Sequence, residues 1–257
     1  MFTGSLRLTG YALAMLSLGL LMSCAHMAPQ QPASKEVQAR MDLSTSYLSK
    51  GQPRRSLKEL LAVKDKARKV PKYHFLLGTT YQQLNSLEQA RDHFVRAAEL
   101  DPGYGEAWNS LGQVFVSLDN SSRARQAFEN ALSIPTYLTP EFPAYNLALL
   151  HRDESRPAKA RELAQKALDE NWRFLPAYEL LADMATSKGD IEQASMWLKQ
   201  GVDANPDSVQ LMLRLAENQL RLGQHDKARY WFARILSLQP ESEPAQVARD
   251  YLDILPE

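Results

Sequence analysis

The fold is decided by residues 71–104, which read PKYHFLLGTTYQQLNSLEQARDHFVRAAELDPGY. Apolar side chains recur three or four positions apart in two runs: Leu77, Tyr81 and Leu84 in the first, and Ala90, Phe94, Ala97 and Ala98 in the second. This spacing predicts two short amphipathic helices. Pro102 ends the second helix, because proline cannot continue a helix there. Such a hairpin cannot bury both of its faces alone, so it needs neighbours.

Copies of this hairpin lie on both sides of it. The pattern recurs thirty-four residues later from Gly105 and, more loosely, thirty-four residues earlier from Val37. After a two-residue shift, further copies begin at Glu141, Leu175 and Val209. The motif W-x2-L-G-x2-Y, followed by A-x3-F-x2-A and a proline, resembles the tetratricopeptide repeat. The resemblance implies an all-α, right-handed superhelical solenoid with six helical hairpins over residues 37–242. Residues 243–257 are predicted to form a helix that caps the open end.

The composition and the scattered polar side chains argue against a nucleic-acid partner, a metal site and a catalytic site. The chain is formally neutral and has no basic stripe, which argues against a nucleic-acid partner. Its single cysteine excludes an internal disulfide and a cysteine-rich metal site. The five histidines are scattered along the sequence without metal-ligand spacing, and no glycine-rich phosphate loop follows a predicted strand. His151 and Glu154 share a helix face, where we expect ordinary surface hydrogen bonding. We therefore expect no enzyme activity, no cofactor, no metal and no small-molecule substrate.

The N-terminal segment has the features of an export signal. A short polar start with Arg7 precedes an apolar run over residues 11–22, which is too short to span a bilayer comfortably. Residues 1–23 are therefore predicted to be a signal peptide. The sequence Leu-Met-Ser before Cys24 resembles a bacterial lipobox, which implies cleavage before Cys24 and its lipidation. The alternative is an ordinary signal peptide or an uncleaved anchor with an incidental cysteine. Residues 24–36 are predicted to be a polar tether, and Ala25 resembles the residue that directs lipoproteins to the outer membrane.

The one break in register lies at residues 135–143, PTYLTPEFP, where three prolines stiffen the connection. This segment, the run Ala144–Ala148 that follows, and the arrangement of lipobox, tether and six repeats resemble the type IV pilus pilotin lipoproteins of the PilF, PilW and Tgl type. The resemblance implies a lipid-anchored adaptor at the outer membrane, with its repeats facing the periplasm. Its partner would be a secretin subunit, which it helps to reach the outer membrane and assemble. Two alternatives stay open: a general envelope scaffold serving another secretion, polysaccharide-export or cell-wall complex, and a catalytic or regulatory subunit whose site is not recognisable.

In this repeat family, positions two, five, nine, twelve and thirteen of each unit line a concave groove. The residues here are Met41, Leu48, Phe75, Gln82, Asn109, Gln113, Phe142, Tyr145, Leu149, Leu213 and Leu220. A mixture of apolar side chains and amides suits an extended or helical peptide. The candidate partner-binding residues are Phe75, Asn109, Gln113, Tyr145 and Leu149. Leu149 and Leu213 could equally pack against the neighbouring helix. Position five carries no lysine in any repeat, which argues against capture of a C-terminal carboxylate.

Overall fold

The computed structural model describes residues 34–255, which belong to one compact unit, Ala33–Glu257. All regular structure in this range is helical. Six hairpins follow one another, each with a first (A) and a second (B) helix: α1 Lys35–Ser49 and α2 Pro53–Leu61; α4 Pro71–Gln83 and α5 Leu87–Leu100; α6 Gly105–Ser117 and α7 Ser121–Leu132; α8 Glu141–Asp153 and α9 Pro157–Glu170; α10 Leu175–Thr186 and α11 Ile191–Ala204; α12 Val209–Arg221 and α13 His225–Leu238. A single helical turn, α3 Lys64–Ala67, separates the first two hairpins, and α14 Glu243–Ile254 follows the last.

Each hairpin turns at the same position of its repeat. Two or three residues after the end of every A helix, one residue has a positive φ: Gly51, Asn85, Asp119, Ser155, Gly189 and Gly223. Glycine, asparagine and aspartate tolerate this left-handed backbone better than other residues. The B helix then begins within a few residues, and side-chain caps from Asn120 and Asp190 accept from backbone N–H groups in its first turn. The sequence therefore specifies an identical reversal in every repeat.

Small residues let the A and B helices of one hairpin pack closely. A Cβ atom added at Gly78 would lie 2.6 Å from the ring of Phe94, and Gly112 faces Phe128 in the same way. Ala124, at the seam of the third repeat, is fully buried. Each B helix also packs against the A helix of the next repeat, so one apolar core runs through the array. The predicted all-α solenoid is confirmed.

The C-terminal helix α14 closes the array. Its residues Val247, Tyr251 and Leu252 pack on the same apolar cluster as the last repeat. The ring of Tyr251 stacks on that of Phe232 with centroids 5.0 Å apart. The predicted capping helix is thus present and buries its apolar face. Within residues 34–255, no helix has the length and apolar character needed to cross a bilayer.

Two local features were not predicted. In the first repeat, the Ser44 and Ser56 hydroxyl oxygens lie 2.7 Å apart, and Ser56 lies 2.8 Å from the Thr80 hydroxyl, so a buried hydroxyl chain fills the seam. In the insertion before α8, Tyr137 is buried against the start of α6, where a Cβ at Gly105 would overlap with its ring. The insertion is therefore anchored to the core by one aromatic side chain.

Candidate partner-binding face

The A helices α6 and α8 lie next to each other in the third and fourth repeats and enclose a cavity of about 190 Å³. It is lined by Gln113, Val116, Phe128, Asn146, Leu149, Leu150, Arg152 and Asp153. Two of the five predicted partner-binding residues, Gln113 and Leu149, therefore share one concave site. Its floor is apolar, and its rim carries amides and charges.

An amide pair joins the two helices beside this cavity. The Asn146 side-chain Nδ2 donates to the Asn109 side-chain oxygen Oδ1 at 3.0 Å, and Asn109 is buried. Asn109 thus positions Asn146, which itself lines the cavity. Sequence reasoning missed Asn146, because it stands at position six of its repeat and only the packing of two repeats brings it to the site. A polar group opposite position five of the preceding repeat is the signal that could have identified it.

The two predicted aromatic residues, Phe75 and Tyr145, do not line this cavity. Phe75 is half-buried on α4, with its ring centroid 5.7 Å from that of Phe94 and 5.1 Å from that of Tyr104. Tyr145 is half-buried on α8, edge-on to Phe174 at 5.5 Å. Burial raises the pKa of the Tyr145 hydroxyl, so it stays neutral and can act as a hydrogen-bond donor. Both rings pack against aromatic side chains of their own repeat and remain partly exposed.

Three other predicted groove positions belong to the core. Met41, Leu48 and Leu213 are each less than one-tenth exposed and pack inside apolar clusters of the first and last repeats. Met41 and Leu48 are thus core residues and do not line an exposed groove as predicted, and for Leu213 the structure favours packing against the neighbouring helix, one of the two alternatives left open by the sequence. At the ends of the array the corresponding side chains turn into the core that closes the solenoid.

The fifth and sixth repeats continue the face with charged residues. Glu179 takes position five, where Asn109 stands in the third repeat, and Arg214 of α12 lies 3.8 Å from its carboxylate. Arg214 also pairs with Asp183. Burial raises the pKa of the Glu179 carboxyl above its ordinary value. The polarity of the face thus changes from amides in the centre to an ion-pair network towards the C-terminal end.

Two pairs of ionisable residues occupy positions that the sequence did not predict. His151 and Glu154 share a helix face as expected, with Nδ1 and Oε2 3.7 Å apart, but His151 is buried and Glu154 also pairs with Arg125 of α7 and with Arg156, so the pair belongs to the junction between the third and fourth repeats and not to the surface. His74 and His93 also come together, with their Nδ1 atoms 3.1 Å apart. The Arg68 carbonyl oxygen accepts from His74 Nε2 at 3.1 Å, so in neutral His74 the Nδ1 atom accepts from His93.

This histidine pair is not part of a larger ligand cluster. Over the described range, no group of three or more His, Cys, Asp or Glu side chains could hold a metal ion. Burial and, to a smaller extent, the neighbouring His74 together lower the pKa of His93 to about 4. The pair connects α4 to α5 through a hydrogen bond, and Tyr81 stacks on His93 with ring centroids 5.5 Å apart.

The chain belongs to a known class of protein-interaction modules. Tetratricopeptide-repeat models match residues 41–104, 75–137 and 185–249. Together with six stacked hairpins, these matches make the chain a tetratricopeptide-repeat protein. This repeat fold is typical of non-enzymatic scaffolds that bind other proteins.

Solved structures of the same fold cover most of the chain. The structure of PilW, described as a widely conserved type IV pilus biogenesis factor, is 20% identical and covers 84% of this chain and 100% of its own, with a TM-score of 0.67. Pseudomonas aeruginosa PilF is 17% identical over 86% of this chain and 100% of its own, with a TM-score of 0.69. YrrB, described as a repeat protein with an unusual peptide-binding site, is 18% identical and covers 74% of this chain and 97% of its own, with a TM-score of 0.50. At these identities the likeness establishes the fold.

Curated relatives match over shorter parts of their length. An uncharacterised protein of Haemophilus influenzae is 31% identical over 103 residues, which is 38% of this chain and 55% of that protein. Superkiller complex protein 3 of mouse is 23% identical over 221 residues, which is 70% of this chain but 14% of that protein. The chain thus spans from about a seventh to just over half of these relatives.

Proposed function

We propose that this protein is a pilotin: a lipid-anchored adaptor that binds a secretin subunit and helps it reach the outer membrane and assemble into its ring. The observation that carries this proposal is the full-length likeness in fold to PilW and PilF, each of which is covered completely by this chain. The residues that would attach it to the membrane, the signal peptide with Cys24 and most of the tether, lie outside the described residues. The membrane anchor therefore rests on the lipobox alone.

The face formed by α6 and α8 supports binding of a polypeptide segment. An apolar side chain of the partner would enter the cavity of about 190 Å³ over Leu149 and Phe128. The Gln113 and Asn146 amides at its edge would pair with the partner's backbone, which fixes register. Escort and assembly need only binding at the right place, so this function requires no catalytic residue.

The function is tested by the state of the secretin in cells. In a strain lacking this gene, secretin multimer should fall and monomer should accumulate, and complementation should restore the multimer. The measurement is a gel that preserves the secretin ring. Equal multimer in the deletion and complemented strains would refute the pilotin role and favour the general envelope scaffold.

The anchor is tested separately. The Cys24→Ser variant should remain unprocessed by the lipoprotein peptidase and leave the outer-membrane fraction, because serine has no thiol to acylate. Fractionation and the mass of the mature chain report this directly. A variant that still matures to the wild-type mass in the outer membrane shows that Cys24 is not the anchor.

The face is tested with matched variants. Gln113→Ala combined with Leu149→Ala should reduce co-purification of secretin by roughly tenfold, since truncation of a central contact residue often costs about 1–2 kcal/mol. Ser117→Ala, an exposed residue later on the same helix α6, serves as the control. Equal recovery with both proteins, at unchanged helicity, would place the secretin contact elsewhere.

A further inference from the structure

A second cavity, of about 420 Å³, lies between the fifth and sixth repeats. It is lined by Glu192, Ser195, Met196, Lys199, Gln200, Gln219, Leu222 and Gln224. Its walls are formed by the B helix α11, the end of α12 and the start of α13. It shares no lining residue with the cavity on α6 and α8. Its volume falls within the range of about 300–1,000 Å³ that is usual for ligand sites.

The repeat register distinguishes the side chains at this junction from those at the earlier ones. Position 21 of one repeat and position 11 of the next are paired along the array as Leu57 with Tyr81, Arg91 with Phe115, Arg125 with His151, Arg161 with Ala185, and Ser195 with Gln219. The first three pairs combine long or aromatic side chains. Only in the last pair are a short hydroxyl and a flexible amide combined. The junction of the fifth and sixth repeats therefore lacks the aromatic ring that occupies this position in the first three repeats.

The two residues of that last pair carry polar atoms without partners. Ser195 is 7% exposed and Gln219 is 9% exposed. Neither the Ser195 hydroxyl oxygen nor the Gln219 side-chain oxygen has a hydrogen-bond partner among the described residues. Buried polar groups are normally paired, and each exception requires an explanation. Both residues line the cavity, and their unpartnered oxygens lie just beneath its surface, so a rotation of each side chain would let a ligand inside it complete their hydrogen bonds.

The rim favours an uncharged ligand with an apolar group. Met196 is 55% exposed, which is high for a large apolar side chain, and Leu222 stands across the cavity from α11. Glu192 and Lys199 bring one charge of each sign, and Lys199 is already paired with Asp203 at 2.6 Å. Among the lining residues the two charges balance, and the carboxylate of Asp203 lies outside the lining, so nothing in the lining selects an anion or a cation.

We propose that this cavity is a second docking site, which takes an extended polypeptide segment with one bulky apolar side chain. That side chain would lie between Met196 and Leu222. A backbone N–H next to it would donate to the Gln219 side-chain oxygen, and the Ser195 hydroxyl would donate to a backbone carbonyl. Rotation about the last torsion of Gln219 exchanges its oxygen and nitrogen, so the amide can meet a backbone group of either kind. With two separate sites the protein can hold two polypeptides at once. This inference does not depend on the pilotin role.

The test uses the full chain in detergent micelles with ¹³C-labelled methionine methyl groups. The sequence has eight methionines, and the Met196→Leu variant identifies the Met196 resonance by removing it. The probe is the capped tripeptide acetyl-Gly-Leu-Gly-amide. We expect a saturable shift of the Met196 resonance, and about fivefold weaker binding of the analogue whose leucine nitrogen is methylated, because it lacks the donor.

Two protein variants make the result specific. Gln219→Tyr places at this register the residue found in the first two repeats, so it should fold and fill the cavity, which abolishes the shift. Gln113→Ala alters the other cavity and should leave the shift unchanged. A Met196 resonance that does not move at high peptide concentration, or that moves equally in Gln219→Tyr, overturns the proposal.

Discussion

The Gly78→Ala substitution tests the close packing of the hairpin seams. Gly78 lies in the middle of α4, where the ring of Phe94 from α5 covers it. An alanine Cβ would lie 2.6 Å from two atoms of this ring, whereas ordinary van der Waals contact begins at 3.4 Å. The seam must therefore open by almost an ångström, or the ring must leave its place. Phe94 is fully buried, so neither movement is free.

Two opposing effects set the size of the loss. Overpacking a well-packed core costs about 1–3 kcal/mol. Alanine in a helix gains about 0.5–1 kcal/mol over glycine. We therefore expect a net loss of roughly 1–2 kcal/mol in the free energy of unfolding. For a chain of this size, that corresponds to a fall in Tm of roughly 2–8 °C.

A second substitution identifies the cause. In the fifth repeat the same two positions hold Ala182 and Leu198, so an alanine is compatible with a smaller partner. Combining Gly78→Ala with Phe94→Leu should therefore cost less than the sum of the two single changes, by about 1 kcal/mol. Additive losses would show that the two side chains do not compete for the same space.

The assay is thermal and urea unfolding followed by circular dichroism at 222 nm. Lys72→Ala, an exposed residue one turn and a half earlier on α4, is the control and should change stability by less than about 0.5 kcal/mol. If Gly78→Ala raises the midpoint, helix propensity outweighs the contact and the close-packing argument is refuted.

Three further predictions concern single contacts. Burial lowers the pKa of His93 to about 4, below its ordinary 6.5, so the unfolded chain binds the proton first as the pH falls. The free energy of unfolding should therefore decrease from about pH 6.5 to 4, and His93→Gln should flatten this dependence on pH. Glu154→Ala should lower stability by about 1–3 kcal/mol, since it leaves a half-buried arginine without its partner, whereas the exposed neighbour Asp153→Ala should have little effect in the same urea titration. Tyr137→Ala should cost about 3–5 kcal/mol and Leu138→Ala almost nothing, because the first side chain is buried and the second is 86% exposed.

The sequence was sufficient to predict the fold because each level of description agreed with the next. Apolar periodicity gave the helices, small residues such as Gly78 gave their close approach, and prolines and turn residues gave their ends. Six copies of one pattern then supported the assignment, since each hairpin packs its two helices with the same spacing of small and apolar residues. The capping helix followed from the need to cover the last repeat.

The candidate site could be predicted only in part. Gln113 and Leu149 stand at register positions that repeat, so their common cavity follows from the spacing. Contacts between helices of different repeats do not follow from it. His74 and His93 are 19 residues apart, and Arg125 and Glu154 are 29 residues apart, and neither spacing places two side chains on one helix face. Only the packing of whole hairpins brings such pairs together.

Two junctions of the array, between the third and fourth repeats and between the fifth and sixth, hold buried polar groups that the repeat pattern does not predict. Between the third and fourth repeats, Arg125 Nε, His151 Nδ1 and Glu154 Oε2 also lack hydrogen-bond partners within the described range, but Arg125 and Glu154 form an ion pair beside the buried His151. Between the fifth and sixth repeats, Ser195 and Gln219 face a cavity and lack such partners. A junction that only had to hold two repeats together would be more stable with the tyrosine or phenylalanine that this chain uses at the same position earlier. Local departures from a consistent pattern are concentrated at functional sites. At this register position, Gln219 of the sixth repeat is therefore best explained by a ligand in the neighbouring cavity, whereas His151 of the fourth repeat lies beside an internal ion pair.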